Sequence, residues 1–565
     1  MTGTPPPVPA AAPPPDDEPP APTGPSLVRT VGHTPTGKPK PNYRKDDPTR
    51  SPRIPFAGGK PQKGNAALDG VSDYVAVLTV FDDPATYDTA AALPPPADGT
   101  PGPRPMHPDW MMVGWAKCID PLRTSRRVHF ALDDDSPLFR DVLGLARRHV
   151  GDAAVDAYQA TAVGPPRLHH FNTWLRRVKD LDADDSNPMF DAVRAANRRI
   201  ARETGALDPD HPRGLTNLTR ANVVGADGTV AASPTRNTDP EWVDEKTGQV
   251  HTRRLDDAAY WHYENGGDKP KRVHGVKLAR ISVRANSDWH LTTILDTEHV
   301  HPGDGGEMAV IMRMFTRLAE AEPGTRGLVT DMVMRGVHAD ELLRQGTQPV
   351  SKIRTGTWRP EYPGDTRPDK PTPHMALFPP LAGGIATHTH EHGQCKHTVG
   401  AENGWAIEVV VGADGKRHHK RLAHKHLERR RPNGDTDHYA RLFIPCPFGT
   451  ERRHDAEGEL TRGHDHQVNA RQCKDYDDAG FNVGEYFRLV RAGDPQFERI
   501  VPGRNNTEQL HSRRDENYYR RRIPAWGRKR QRIISVLMDA GHNSLTRWIA
   551  AGKPSLYDKT VLKAA

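Results

Sequence analysis

The chain has 565 residues, carries 79 Lys and Arg against 72 Asp and Glu for a net charge of +7, and is only 35% hydrophobic. That length accommodates two or three folded units plus tails, and 53 prolines with 49 glycines assign a sizeable share of it to loops or disorder. Four cysteines exclude a disulfide scaffold and fit a reducing cytosol. The start has no secretory pattern and no stretch approaches the roughly 18 apolar residues of a membrane span, so a soluble cytoplasmic protein is expected. The mild positive balance permits a polyanionic partner without naming one.

Residues 1–70 are dominated by Pro, Ala, Gly and scattered charge and cannot bury enough apolar area to offset chain entropy, so a disordered tail is expected there. Lys38, Lys40, Arg44, Lys45, Arg50 and Arg53 in this tail are read as a solvated linker in preference to a phosphate contact. A mostly helical unit spans 71–210. It holds a short apolar segment, Asp73 to Asp82, and then SPLFRDVLGLARRHVG, whose Ser136 cap, apolar spacing and terminal Gly151 mark an amphipathic helix. Similar patterns recur to about residue 205. Arginine pairs on these helices (Arg147 and Arg148, Arg176 and Arg177, Arg198 and Arg199) fit equally a helix-turn-helix-like DNA reader and an ordinary solvated face.

From about 211 the texture changes. ANVVGADGTVAAS reads as a strand with a turn, VHGVKLARISVR and WHLTTILDTEHV as two more strands, and GGEMAVIMRMFTRLAEAEPG as a helix that the turn His301 to Met308 caps. GLVTDMVM then reads as a buried strand, HADELLRQG as a helix and QPVSKI as a strand, an α/β arrangement closing at 353. Residues 354–495, rich in Pro, His and charge and holding three of the four cysteines, are too long for a loop and predict an inserted domain. Helical patterning returns over 496–552, before a tail at 553–565.

Two acids interrupt apolar strands. Asp331 follows Gly327-Leu328-Val329-Thr330, and Asp227 follows Asn222-Val223-Val224-Gly225-Ala226 with no Lys or Arg within six residues. A buried carboxylate has to be paired, protonated or bound to metal. For Asp227 the Asp-Gly dipeptide also fits a hairpin turn. The order of three strands, helix, strand, interruption and late Glu-bearing helix resembles the catalytic domain of insertion-sequence DDE transposases. The matching residues are Asp227 in VVGADGT, Asp331 in LVTDMVMRG and Glu508 in GRNNTEQLHSRRDEN, with Arg504 four residues before the Glu and HGVK at His274 to Lys277 in support. Val501 and Asp515 stand where the family signature has Tyr and Lys. Glu516 is the rival for the third carboxylate and Asp296 for the first.

The resemblance implies an RNase H-like mixed sheet flanked by helices, with Asp227, Asp331 and Glu508 binding two Mg²⁺ or Mn²⁺ ions. It implies cleavage and strand transfer of double-stranded DNA, at transposon ends and target, by a protein that is dimeric on DNA and has no membrane partner. The alternatives are a nuclease without strand transfer and an inactive DNA-binding descendant. Three anions converging on one place require divalent cations, and hard oxygen donors suit these ions.

Arg504, Arg513, Arg514, Arg520, Arg521, Arg528, Lys529 and Arg530, interleaved with Tyr518, Tyr519 and Trp526, predict phosphate contact with aromatic stacking on an unpaired base. In the inserted region Cys395, Cys446, Cys473 and His397 are candidate ligands of a structural zinc ion, although no Cys-x2-Cys pair is present.

Overall fold

The computed structural model describes residues 73–95, 106–119, 128, 132, 136–161, 164–181, 187–210, 215, 217–235, 237–264, 271–285, 291–331, 334–353, 375–431, 436–504, 507–508, 511 and 522–552. The tails at 1–70 and 553–565 lie outside them, as do Glu516, Arg513, Arg514, Arg520 and Arg521. The protein is mixed α/β. No described helix is long and apolar enough to cross a membrane.

Helices come first: α1 (Asp73–Asp82), α2 (Pro84–Ala91), α3 (Asp109–Lys117), α4 (Pro137–Val150), α5 (Asp152–Ala160), α6 (Leu168–Asp180) and α7 (Pro188–Glu203). Their starts follow capping chemistry. Asp83, Ser136 and Asn187 accept from the amides of Ala85, Leu138 and Met189, each ahead of a proline in the first turn. Gly151, at φ +85, ends α4. α1 is the segment whose sequence shows no helical period, because Ala76 to Phe81 are buried on every side. Of the paired arginines, Arg147 meets Asp152 and Asp156, Arg148 meets Asp82, Arg177 meets Asp109, Arg198 meets Glu322 and Arg199 meets Asp88. Most of that positive charge is therefore spent on intramolecular ion pairs.

The sheet that follows is built from β1 (Val223–Ala232), β4 (Tyr260–Glu264), β5 (Lys271–Val283), β6 (Thr293–Val300), β7 (Gly327–Val329) and β8 (Gln348–Val350), after a small hairpin of β2 (Glu241–Val243) and β3 (Val250–Thr252). β4 and β6 share one edge of β5. The order from there is β5, β1, β7, β8, with β5 antiparallel to β1 and β6, and β7 parallel to both β1 and β8. β1 runs unbroken through Asp227-Gly228, which pair with Arg280 and Ala279. The turn expected at that dipeptide is absent, and the hairpin reading of Asp227 is corrected. α8 (Glu307–Ala321) covers one face, burying Val310, Ile311, Phe315 and Leu318 against Val224, Ala226, Ala279, Ile281 and Leu295. β7 is joined to β8 through α9 (Gly336–Arg344).

After β8 the chain builds two antiparallel sheets. One holds β9 (Met375–Leu377), β10 (Ile385–His390), β11 (Gly393–Glu402), β12 (Trp405–Val411) and β13 (Arg417–Arg421). The other holds β14 (Ala423–Arg430), β15 (Thr436–Pro445), β16 (Glu451–His454) and β17 (Leu460–Asn469). Their inner faces share a core: Ala386, Val399, Ala401 and Ala406 lie with Ala440, Leu442, Ile444 and Val468, closed by Tyr476 and Phe481 at and just past α10 (Lys474–Asp478). The chain then returns to the first sheet. Val490, with Phe497 and Ile500 of α11 (Pro495–Ile500), packs on Val223, Val329 and Val350. α12 (Arg528–Ala550) completes the fold, and its Ile533, Ile534, Leu537 and Met538 share one core with α1 to α7.

His424, His426 and His438 lie on β14 and β15. Burial pushes His424 down to about 3, with the neighbouring Arg491 guanidinium acting the same way. Burial likewise takes His426 to about 4 and His438 to about 4, the latter aided by the His426 ring. With folded values below the unfolded one, stability from these groups is complete above about pH 6.5 and is lost as pH falls toward 4, at roughly 1.4 kcal/mol per pH unit for each group in that window. Melting of the full chain between pH 7 and 4.5 is expected to drop steeply, and His426→Gln should flatten the profile. An unchanged slope in that variant would assign the acid sensitivity elsewhere.

Candidate active site

Asp227 and Asp331 are placed by strand register. β1 and β7 run parallel with Val223 beside Gly327, Val224 beside Leu328 and Gly225 beside Val329. Two residues further along each chain, Asp227 and Asp331 stand at the same level, one still inside β1 and the other at the bend just past β7. Side chains alternate along a strand, so Val223, Gly225 and Asp227 share the face opposite α8.

That face receives the third carboxylate. The described residues 502–504, 507, 508 and 511 are helical, and this stretch sits directly on β1. A Cβ at Gly225 would fall 3.1 Å from the Gly503 carbonyl oxygen and 3.2 Å from Thr507 Oγ1. The absent side chain is what lets the segment approach. Ser282 of β5, the register partner of Gly225, shares a hydrogen bond of 2.8 Å with Thr507. Glu508 follows Thr507, and His511 lies one turn further along.

A guanidinium and an imidazole join the three acids. Arg504 holds Glu508 at 2.6 Å and reaches Asp331 at 3.8 Å from the same guanidinium nitrogen. His511 Nδ1 lies 3.3 Å from Asp227 Oδ2. Asp227 is largely buried, with 16% of its side chain exposed, whereas Asp331 and Glu508 are each 45% exposed and open to a diffusing ligand. The carboxylates do not form a set whose ligand atoms all lie within 4.8 Å of one another; among the described residues such sets are Cys395, His397 and Cys446, and His426, Glu428 and His438. Arg504 bridges Asp331 and Glu508, and the His511 ring sits on Asp227.

Other expected residues lie elsewhere. Asp296, on β6, is buried between Arg194 at 3.0 Å and Arg317 at 2.9 Å, a structural ion-pair network that removes it as the first acid. Lys277 faces α8 and pairs with Glu307, on the opposite side of the sheet from Asp227. Arg528, Lys529 and Arg530 form the first turn of α12, with Arg528 and Lys529 exposed. Trp526 stacks under Arg254, whose guanidinium carbon is 4.5 Å from the ring centroid. Cys473 starts α10 and packs at the edge of the inserted core, apart from the other cysteines. The close set that holds Cys395, His397 and Cys446 does not include Cys473. His511 was missed; three residues after Glu508 in a helical stretch, it was available to a helical-spacing argument.

Among the described residues of this constellation, no nucleophile is paired with a general base in the contacts it makes. The arrangement offers carboxylate oxygens at the end of a sheet, flanked by a guanidinium and an imidazole, and so the chemistry it can perform is cation binding and phosphate contact. Comparison of the chain with protein-family models and with curated proteins yields no match.

Proposed function

We propose that the chain is a metal-dependent enzyme that cuts and joins DNA strands, a transposase of the DDE type with an RNase H-like catalytic sheet. The observation that carries this reading is the placement of Asp227 inside β1 and of Asp331 just past the end of the parallel neighbour β7, with Glu508 brought beside Asp331 through Arg504. The sheet supports it: the first three long strands are antiparallel neighbours in the order third, second, first, and the two short ones that follow lie parallel beside the first. So does the return of the chain from the two β-sheets onto the face that carries Asp227.

The donor set fits the expected ions. All three acids are hard oxygen donors and two are open to solvent, and a divalent ion would replace the Arg504 guanidinium between Asp331 and Glu508. Asp227, Asp331 and Glu508 would hold Mg²⁺ or Mn²⁺, which supplies activation of a water or a 3′-hydroxyl and charge neutralisation at the leaving oxygen. The chain's own residues do the positioning. β1 carries Asp227, the bend just past β7 carries Asp331, and the helical stretch packed on β1 carries Glu508. Arg504 is placed to meet a phosphate oxygen, and His511 orients Asp227. The exposed start of α12 adds positive charge for the DNA backbone.

The test uses full-length protein, supercoiled plasmid carrying the DNA that flanks the coding region, and Mg²⁺ or Mn²⁺. Cleavage leaving 3′-hydroxyl ends, followed by their joining to a second DNA, is the expected result. Cleavage without joining would favour a nuclease on the same fold. Absence of any metal-dependent cleavage, with binding of flanking DNA retained, would leave a DNA-binding protein and reject the enzyme.

A further inference from the structure

The two β-sheets inserted between β8 and α11 meet at a cluster of sulfur and imidazole groups that the carboxylate chemistry does not use. Cys395 and His397, two apart on β11, share a face of that strand. Cys446 directly follows β15 of the other sheet, and its amide donates to Arg462 at 2.9 Å. The turn after it lies tight on β17: a Cβ on Gly449 would come 2.3 Å from the Gly463 amide nitrogen. The next residue, His464, is the register partner of Ile444.

The ligand atoms of Cys395, His397 and Cys446 all lie within 4.8 Å of one another. The two sulfurs are 3.8 Å apart, and Cys395 Sγ is 3.5 Å from His464 Nε2. Tetrahedral zinc, with Zn–S near 2.3 Å and Zn–N near 2.0 Å, sets neighbouring sulfurs about 3.8 Å apart and a sulfur and nitrogen about 3.5 Å apart. A disulfide requires about 2.05 Å.

His397 is prepared as a ligand. Its Nδ1 meets Glu408 Oε1 of β12 at 2.6 Å, which fixes the tautomer with the lone pair on Nε2. That Nε2 is buried and has no hydrogen-bond partner, a costly arrangement for a polar atom unless it binds something. His388, the register partner of Cys395, lies flat against His464 with ring centroids 4.2 Å apart and holds that ring beside the sulfurs.

We propose that Cys395, His397 and Cys446 bind a structural zinc ion that clamps the two inserted sheets together, with Glu408 as the positioning residue for His397 and with His464, 3.5 Å from Cys395 Sγ but outside the close set, drawn in as the fourth ligand. His464 takes the place that the sequence spacing gave to Cys473. Zinc rather than magnesium follows from two thiolates and two imidazoles.

Elemental analysis of the full chain, purified without chelator, is expected to find one zinc per molecule. Exchange to Co²⁺ should give the ligand-field bands of a tetrahedral site together with thiolate charge transfer. Cys446→Ser should lose the metal and Cys473→Ser should keep it. Glu408→Gln should weaken zinc binding by about 10- to 100-fold. The proposal is overturned if wild-type protein contains no zinc, if its mass shows Cys395 and Cys446 joined in a disulfide, or if Cys446→Ser retains a full complement. Loss of metal in His388→Ala but not in His464→Ala overturns the fourth ligand. None of these readouts depends on DNA cleavage.

Discussion

Asp331→Asn is expected to lower Mg²⁺-dependent strand cleavage by on the order of a thousand-fold or more, while DNA binding and melting temperature stay close to those of the parent protein. The substitution keeps the shape of the side chain and removes one anionic oxygen from the set that would hold the cation. Stability is spared for a geometric reason. Asp331 stands just beyond β7 with 45% of its side chain exposed, and its contact with Arg504 is a long 3.8 Å, an ion pair of the kind that contributes little. Cleavage within tenfold of the parent would remove Asp331 from the site. Asp227→Asn is a less clean probe, because Asp227 is more buried and is held by His511, so stability and activity would change together.

Asp539→Ala is expected to destabilise the protein by about 3–5 kcal/mol, read as a large fall in melting temperature. Asp539 lies on α12 and meets Arg280 Nε at 3.1 Å, with side chains 2% and 0% exposed. Thr297 of β6 also donates to it. Removing the carboxylate takes a charged partner from a fully buried guanidinium, which costs far more than the pair contributes when intact. The partner substitution separates the two effects. Arg280→Met combined with Asp539→Leu should recover most of the loss, since both charges are then gone. If Asp539→Ala alone changes stability by less than about 1 kcal/mol, the pair is not the fastening between α12 and the sheet that its burial indicates. Arg280 is also the register partner of Asp227, so activity should fall in the single variant and return in the double one.

The alternation of strands and helices from 223 to 350 was readable from hydrophobic period, and Asp331 was readable as an acid closing an apolar strand. Asp227 was ambiguous for a definite reason: Asp-Gly carries the same local signal in a hairpin and in a strand whose Gly228 leaves room for Glu307 from α8. Only pairing with β5 distinguishes them, and register is a long-range property. The same limit governed the cysteines. Cys395 and His397 at i and i+2 announce a shared face, but the approach of His464 to Cys395 depends on how β15 pairs with β17. His464 was therefore invisible and Cys473 looked its equal. Glu508 rested on Arg504 four residues before it, and these two residues do meet. α1 was missed because a helix buried all round has no amphipathic signature, and the arginine pairs were open to a DNA-reading interpretation because their acidic partners come from other elements.

The last helix has a consequence for synthesis. Its apolar side chains fill the core of α1 to α7, and Ser544 donates to Asp83, which is 461 residues earlier in the chain and which also holds Lys117 at 3.0 Å. Helices α1 to α7 therefore wait, with their apolar faces open, until α12 has emerged from the ribosome. Such long-range closure is slow and leaves a sticky intermediate. A chain that stops before Arg528 leaves the first seven helices without their closing element, so full-length synthesis becomes a condition for a soluble product.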